Sequence, residues 1–252
     1  MLDKGRISCV LGDRPFIWRR ATGSTNADAL DWLRQGAPTG SLVLADEQLQ
    51  GRGRLGRGWH TPAGAALALS IVLRPESQDL PRLTMAGALA IAGMADEAGA
   101  RDVSLKWPND VQVGGLKLAG VLSEALWQGD RLAGAVLGMG VNVRVDFRGS
   151  PLEEQAISLE TACGCSLDRA RLLALLVNHA DVLLQQAGGD ALYRAWRQRL
   201  KLPTSRVEVN GLQGFIEGVD RDGALLLRAE TGQLHTLYSG EALHAPKATD
   251  GH

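Results

Sequence analysis

The chain has 252 residues, of which 45% are hydrophobic, and its formal net charge is −1. This composition predicts a globular protein with a sizeable core, and the near-neutral charge argues against a general nucleic-acid binder. No apolar run is long enough to cross a membrane and no signal peptide is recognised, so we expect a cytoplasmic protein. Its three cysteines, Cys9, Cys163 and Cys165, are too few for a disulfide framework and lack the spacing of a zinc site.

The first part of the chain alternates between helical and extended patterns. Apolar residues at helical spacing predict helices at about 25–35 and at Leu83–Ala98. Apolar runs bounded by turn residues predict strands at Leu42–Ala45, Ala66–Leu73, Val103–Trp107, Val111–Val113, Lys117–Trp127 and Leu132–Val143. Since Gly114-Gly115 and residues 128–130 favour hairpin turns, the sequence predicts a mostly antiparallel sheet with flanking helices.

The last part of the chain changes character after Pro203. Helices are predicted at Asp168–Gln186 and Ala191–Leu200, and Pro203 ends that pattern. Short β-rich runs from 205 to 244 are separated by turn sequences such as Asn210-Gly211, which is typical of a small barrel of hairpins. The predicted division is a main domain at 1–203, a small domain at 204–246 and a tail at 247–252.

A glycine- and arginine-rich segment, residues 51–59, which we call the Gly/Arg loop, suggests an anion site. Four arginines and no carboxylate lie between residues 48 and 75: Arg52, Arg54, Arg57 and Arg74. Guanidinium groups fit phosphate oxygens, and the interleaved glycines let backbone N–H groups approach a ligand. By itself the loop could also be a flexible surface segment or a nucleic-acid contact. It matches neither a Walker A loop nor a dinucleotide fingerprint.

Three strand ends carry candidate chemistry. Asp110 follows a predicted strand in Lys106-Trp107-Pro108-Asn109-Asp110, where it could ligate magnesium, receive a proton or simply end a strand. Lys117 lies in an otherwise apolar strand, and a buried lysine is costly unless an anion compensates it. Strict alternation would place it on the same face as Ala119 and Val121. Gly138-Met139-Gly140-Val141-Asn142 ends another strand, where glycines permit close approach of a ligand.

Five stretches together resemble biotin protein ligases in order and spacing, over roughly residues 15–245. They are Ser24–Asn26, Gln48–Trp59, Lys106–Asp110, Lys117–Gly120 and Gly138–Asn142. The resemblance implies an α/β (α+β) fold, with a class II synthetase-like catalytic domain on a mixed sheet and a small C-terminal SH3-like barrel. It also implies that biotin is activated by ATP as biotinyl-5'-AMP and passed to a lysine of a biotin carboxyl carrier protein. Magnesium is expected with ATP, without a dedicated set of protein ligands.

The resemblance also assigns roles to residues. Lys117, Arg54 and Asp110 are expected to be catalytic, with Asp110 receiving or orienting the incoming lysine. Biotin-binding positions are Ser24, Thr25, Asn26, Gln48, Gly51, Arg52, Arg54, Lys117, Gly120, Gly138 and Gly140. Nucleotide-binding positions are Arg52, Arg54, Arg57, Trp59, Asn109, Lys117 and Asn142, with Trp59 expected to cover the nucleotide.

Other interpretations remain open at this stage. A lipoate or octanoate ligase or transferase shares the broader fold, and a catalytically silent ligand sensor or nucleic-acid module is a further alternative. Only 23 residues precede Ser24, so we expect no N-terminal winged-helix domain and no DNA binding. Leu55 stands where many relatives have a polar or basic residue. The strand around 136–143 is expected at a sheet edge, where it could pair across a homodimer.

Overall fold

The computed structural model describes residues 2–241 and 243–244, so the predicted tail at 247–252 lies outside the described residues. Its helices are Lys4–Leu11 (α1), Thr25–Arg34 (α2), Leu80–Glu97 (α3), Leu159–Cys163 (α4), Arg169–Gln185 (α5) and Asp190–Arg199 (α6). Its strands are Phe16–Thr22 (β1), Leu42–Gln48 (β2), Ala66–Leu73 (β3), Val103–Lys106 (β4), Asp110–Val113 (β5), Leu116–Gln128 (β6), Arg131–Asn142 (β7), Leu200–Lys201 (β8), Val207–Val209 (β9), Leu212–Val219 (β10), Leu225–Ala229 (β11), Leu234–Leu237 (β12) and Leu243–His244 (β13). Within the described ranges, no helix combines the length and apolarity that a bilayer crossing requires.

Eight strands form one mixed sheet in the order β1-β2-β3-β7-β6-β5-β4-β8. The β1/β2 and β4/β8 pairs at its two ends are parallel, and the five pairs between them are antiparallel. The prediction of a mostly antiparallel sheet with flanking helices is therefore confirmed. The turn at Gly114-Gly115 joins β5 to β6, with positive φ angles of 57° and 85° that suit glycine.

The strand around 136–143 is not at a sheet edge, contrary to our expectation. β7 hydrogen-bonds to β3 on one side and to β6 on the other along most of its length. Its backbone groups are therefore already paired, and a homodimer cannot form by adding a strand to it. The error arose because an apolar run predicts burial of a strand, and it does not say which strands are its neighbours.

The two faces of the sheet have different roles. The main apolar cluster lies under α3 and α5 and includes Val121 and Met139, while a smaller cluster under α2 includes Val43 and Val136. Helix α3 packs closely on the sheet at Gly87, where a Cβ atom would lie 2.9 Å from Val121 Cγ1. The α3 face is thus filled with core around Gly87, while the α2 face has room for a site where α2 begins.

A buried ion pair joins β2 to the start of α5. Arg169 Nη1 donates to Asp46 Oδ1 at 2.7 Å, and the two side chains are only 4% and 12% exposed. The Nε and Nη2 atoms of Arg169 are also buried and have no hydrogen-bond partner. Asp46 is therefore the group that compensates this buried cation.

We expect Asp46→Asn to lower the free energy of unfolding by about 3 kcal/mol, because removing one partner of a buried pair strands the other charge. Urea unfolding followed by circular dichroism measures this loss. The matched control is Asp146→Asn, whose carboxylate pairs with Arg148 on the exposed surface at 2.6 Å and should matter little. Equal stability of Asp46→Asn and the parent would show that the pair does not hold α5 to the sheet.

The C-terminal segment forms a separate five-stranded antiparallel sheet in the order β12-β11-β10-β9-β13, which confirms the predicted small all-β unit. Its buried Val207, Leu225 and Leu227 belong to the same apolar cluster as the main core. Trp107 Nε1 donates to the carbonyl of Gly223 at 2.9 Å and ties the end of β4 to this sheet. The C-terminal sheet thus packs directly beside the turn from β4 to β5, which contains Asn109 and leads into Asp110.

Four elements were not predicted: α1, β1, α4 and the short strand β8, whose Leu200 was assigned to the preceding helix. At the start of α2, Ser24 occupies the N-cap without a side-chain hydrogen bond to the helix. Gln48 Oε1 instead accepts from the backbone N–H of Thr25 at 2.8 Å. The first turn of α2 is therefore stabilised by β2, and this links the helix start to the beginning of the Gly/Arg loop.

Candidate active site

The predicted biotin-binding and catalytic residues come together on the α2 face of the sheet. A small cavity of about 30 Å³ is lined by Ser24, Thr25, Asn26, Gln48, Arg52, Trp59, Leu122, Gly138, Met139 and Gly140. It lies between the first turn of α2, the middle of β7 and the Gly/Arg loop. We call this cavity and the glycines that floor it the slot.

Glycines on β6 and β7 make the slot possible. A Cβ atom at Gly138 would collide with the amide of Asn26, and one at Gly140 would collide with the indole of Trp59. At Gly120 a Cβ atom would lie 3.5 Å from Trp59 Cζ3 and 3.7 Å from Lys117 Nζ. Side chains at these three positions would fill the floor of the slot.

Lys117 faces the slot and not the core, so the prediction from strict alternation is wrong. The register between β5 and β6 shifts at this point, since Val111 pairs with Ala119 but the next residue, Gln112, pairs with Lys117. The shift leaves one extra residue, Leu118, on β6. Such a bulge reverses the side on which the preceding side chain emerges. Ala119 accordingly lies in the core, whereas Lys117 reaches over Gly120.

Lys117 and Asp110 form an ion pair at the mouth of the slot. Lys117 Nζ lies 2.7 Å from Asp110 Oδ1, and the two side chains are 35% and 19% exposed. The same ammonium lies 5.6 Å from the centre of the Trp59 ring, within the range of a cation–π contact. The pair is therefore partly shielded but reachable, as a group that meets a substrate must be.

The Gly/Arg loop is folded back on itself over the slot. Trp59 N–H donates to the carbonyl of Gly51 at 2.8 Å, and Gly53 N–H donates to that of Arg57 at 2.7 Å. A Cβ atom at Gly51 would collide with the Trp59 carbonyl, so this crossing requires glycine. Leu55, at the tip, has a φ of 55°, a left-handed conformation that an apolar side chain rarely adopts.

The arginines of the loop differ in their surroundings. Burial is the largest cause that lowers the pKa of Arg54; Asp110 opposes this shift, and Arg57 adds to it. Arg57 is exposed and donates to Glu241 Oε2 at 2.8 Å, and Lys106 Nζ lies 3.6 Å from the other oxygen of Glu241. Arg54 is thus a partly desolvated cation with room for a further anion.

Arg74 does not belong to this anion site. It follows β3 at the end where Leu73 pairs with Ala135, whereas the site lies toward Ala66, which pairs with Asn142. The carboxylate-free stretch of sequence runs along the whole of β3, so its last arginine follows the opposite end of that strand.

The two predicted asparagines support the backbone around the pair. Asn109 Nδ2 donates to the carbonyl of Val121 at 2.7 Å. Asn142 is 4% exposed, and its Nδ2 lies 3.4 Å from the carbonyls of Lys117 and Ile157. Asn109, just before β5, and Asn142, at the end of β7, therefore hold β6 from its two neighbouring strands, at Val121 and at Lys117.

A second, larger cavity of about 330 Å³ lies beside the pair. It opens between β6, the start of α3 and the C-terminal sheet, and Arg54, Pro108, Leu122, Trp196 and Tyr238 are among its lining residues. Because Arg54 and Leu122 border this cavity and Leu122 also borders the slot, the two spaces are neighbours. Lys117 and Asp110 stand near their junction.

Comparisons with known proteins identify the family of the chain. Residues 18–142 match the Biotin/lipoate A/B protein ligase family, and residues 205–244 match the Biotin protein ligase C terminal domain. The biotin–(acetyl-CoA-carboxylase) ligase of Paracoccus denitrificans is 36% identical over 84% of this chain and 93% of that protein. The bifunctional ligase/repressor BirA of Bacillus subtilis is 31% identical over 90% of this chain and 73% of that protein. The chain belongs to the biotin protein ligase family.

Solved structures of biotin protein ligases share the fold. The enzyme from Aquifex aeolicus in complex with biotin and ATP has a TM-score of 0.76 and 26% identity, and the match covers 90% of this chain and 97% of that one. The enzyme from Leishmania major in complex with biotinyl-5-AMP, at 20% identity and a TM-score of 0.61, supports the fold alone. The fold class predicted from the sequence is confirmed.

For this biotin protein ligase, sequence reasoning missed several polar residues of the site. Ser70, Glu124 and Thr61 contact predicted residues around the slot, and Glu241 contacts the Gly/Arg loop. Ser70 carried a usable signal, since it is the one polar side chain in the buried strand Ala66–Leu73. Glu241 carried none, because it comes from the other end of the chain.

Proposed function

We propose that this protein activates biotin with ATP as biotinyl-5'-AMP and transfers the biotin to a lysine of a biotin carboxyl carrier protein. The observation that carries the proposal is the Lys117–Asp110 pair, held at 2.7 Å beside a glycine-floored slot and beneath a loop of arginines. A cation and a carboxylate at one point suit two successive steps, because the first step needs the cation and the second needs the carboxylate.

The first step joins the biotin carboxylate to the α-phosphorus of ATP and releases pyrophosphate. Negative charge increases on the phosphoryl oxygens as the new P–O bond forms, and fixed cations stabilise it. Lys117 is placed to do this from the mouth of the slot. Arg52, Arg54 and Arg57 are proposed to hold the carboxylate and the phosphates from above, with the desolvated Arg54 closest to Asp110 and Lys117.

The second step moves biotin from the adenylate to the acceptor. The lysine nitrogen must lose a proton before it attacks the acyl carbon, and AMP then leaves as the C–O bond breaks. Asp110 already binds one ammonium, that of Lys117. We propose that it receives the acceptor ammonium in the same way once Lys117 has turned toward the adenylate.

The nucleotide is proposed to occupy the 330 Å³ cavity, next to Arg54 and the Asn109 turn. Asn142 contributes by bracing the Lys117 backbone. Among the described residues, no group of three His, Cys, Asp or Glu side chains could hold a metal ion. Magnesium is therefore proposed to enter with ATP, whose phosphate oxygens would provide most of its ligands.

Trp59 must move or tilt for biotin to enter. Its ring rests on Gly120 and Gly140 and leaves only about 30 Å³, while pockets for small ligands usually measure about 300–1,000 Å³. The sequence resemblance assigns Trp59 to the nucleotide, whereas here its ring borders the biotin slot. We propose that the ring closes over bound biotin and thereby also shields the adenylate from water.

We also propose the domain division at 1–203 and 204–246. The first part would carry both substrates, and the second would close the nucleotide cavity through Gly223 and Tyr238. The acceptor is proposed to be the carrier domain of a carboxylase. Neither a homodimer nor binding to DNA forms part of the proposal.

We expect Arg54→Ala to weaken retention of biotin and of its adenylate more than it slows adenylate formation. The side chain lines the 330 Å³ cavity beside the slot and is proposed to cover the reacting groups from there, so its loss would open the site to water. Release of free biotinyl-5'-AMP, measured by chromatography in the absence of acceptor, should rise on the order of tenfold. Arg74→Ala is the matched control, and equal leakage from both variants would contradict this role.

The direct test is ATP–pyrophosphate exchange with purified protein and magnesium, supplying biotin, lipoate or octanoate separately. Exchange with biotin alone is the expected result. Exchange with lipoate or octanoate would instead assign the chain to a lipoate or octanoate ligase. No exchange with any acid would overturn the proposal in favour of a binding role.

A further inference from the structure

A relay of hydrogen bonds lies directly behind Thr25 and Asn26, which line the slot. It begins at Glu124 on β6, whose Oε2 accepts from Asn26 Nδ2 at 2.7 Å. Asn26 Oδ1 accepts from Ser70 Oγ at 2.6 Å, and Ser70 Oγ lies 2.8 Å from Thr25 Oγ1. The relay thus joins β6, the first turn of α2 and β3, and it ends on a side chain that lines the slot.

The two acceptors beside the Asn26 amide group, of which Glu124 Oε2 is the nearer, fix the direction of the bonds in the relay. Asn26 Nδ2 faces Glu124 and the carbonyl of Leu122, which are both acceptors, so the amide oxygen must face Ser70. An amide oxygen has no hydrogen to give, and Ser70 therefore donates its single hydroxyl hydrogen to Asn26. The contact between Ser70 and Thr25 can then be made only if Thr25 donates.

The hydroxyl hydrogen of Thr25 is consequently used inside the protein. Its two neighbouring acceptors are Ser70 Oγ and Gln48 Oε1, the latter at 3.1 Å, and the hydrogen goes to one of them. In either case the lone pairs of Thr25 Oγ1 remain as the group offered to a ligand. Ser70, Thr25 and Asn26 are 0%, 4% and 5% exposed, so water cannot readily reverse this polarity.

We propose that Glu124, acting through Asn26 and Ser70, is a positioning residue that sets the slot to accept hydrogen bonds from ring N–H groups. This inference rests on the proposed function and adds to it a reason for substrate choice. The cyclic urea of biotin carries two N–H donors. The dithiolane of lipoate and the alkyl chain of octanoate carry none, and they would leave the buried oxygen of Thr25 unpaired.

The test compares Glu124→Ala with Glu124→Gln in biotin-dependent pyrophosphate exchange. Alanine removes the shorter of the two bonds that orient the Asn26 amide, 2.7 Å to Glu124, and leaves only the 3.2 Å bond to the Leu122 carbonyl, while glutamine keeps an amide oxygen that can still accept from Asn26. Glu124→Ala should raise the KM for biotin on the order of tenfold or more, with kcat and the KM for ATP close to the parent values. Glu124→Gln should have a KM for biotin close to that of the parent. Asp130→Ala, in the exposed turn after β6, is the control and should match the parent.

A second variant tests the relay independently of Glu124. Ser70→Ala should also raise the KM for biotin, and the double variant with Glu124→Ala should be little worse than either single variant, because both break one chain of bonds. In Glu124→Ala and in Ser70→Ala, the ratio of kcat/KM for biotin to kcat/KM for lipoate should also be smaller than in the parent. Melting temperatures measured in parallel separate these effects from loss of fold.

Several results would overturn the inference. An unchanged KM for biotin in Glu124→Ala, an equal rise in the KM values for biotin and ATP, or identical behaviour of the Ala and Gln variants would each do so. If the parent shows biotin-dependent exchange and the variants match it, only the relay fails. If the parent shows no such exchange, the proposed function fails and the relay fails with it.

Discussion

Lys117→Ala is expected to lose on the order of 10³-fold in biotin-dependent pyrophosphate exchange. The ammonium reaches over Gly120 at the mouth of the slot, where the biotin carboxylate and the α-phosphate are proposed to meet. Two anionic groups must approach each other there, and without a fixed cation their repulsion is opposed only by the loop arginines. The loss should appear mainly in kcat, since biotin is held chiefly at the other end of the slot.

Two controls make this result specific. Lys4→Ala removes an exposed lysine from α1 and should exchange at the parent rate. Lys117→Ala supplied with ready-made biotinyl-5'-AMP and an acceptor should still transfer biotin. Adenylation, the step in which the Lys117 ammonium stabilises developing charge, is then already complete. Exchange at the parent rate by Lys117→Ala would contradict the proposed mechanism at its centre.

Much of the site could be predicted because its residues lie in short contiguous patterns. The Gly/Arg loop is marked by Gly51, where two backbone segments cross closely, and by arginines in a stretch, 48–75, that contains no carboxylate. The glycines at 120, 138 and 140 occupy strands where a side chain would usually be favoured. Such departures from ordinary strand composition point to a ligand, and the structure places all three on one floor.

What could not be predicted depends on contacts between distant segments. The side on which Lys117 emerges follows from a bulge at Leu118, and a bulge is set by the neighbouring strand and leaves no periodic signal. The edge strand β1, Phe16–Thr22, was missed because it is short, carries two arginines and is half exposed, so it lacks clear alternation. The position of β7 inside the sheet could not be predicted without knowing the order in which the strands pair.

Asp110→Asn is expected to slow transfer of biotin and to spare adenylation, which is the opposite of the effect expected of Lys117→Ala. Pyrophosphate exchange should be largely retained, because Lys117 still reaches the slot from its own strand. Transfer from ready-made biotinyl-5'-AMP to an acceptor should fall on the order of 10²-fold, since the incoming ammonium loses the carboxylate that receives its proton. Single-turnover transfer, followed by labelled biotin on the acceptor, measures this step apart from adenylation.

The dependence on pH distinguishes loss of a proton acceptor from loss of position. A free lysine has a pKa near 10.4, so in Asp110→Asn the reactive neutral amine should increase about tenfold for each pH unit between about 7 and 9. The transfer rate of the variant should follow that rise, while that of the parent should depend on pH less steeply. Asn109→Ala loosens the turn before Asp110 without removing the carboxylate, and it should slow transfer with the parent's pH profile. If Asp110→Asn and the parent show parallel profiles, the carboxylate orients the acceptor lysine and does not take its proton.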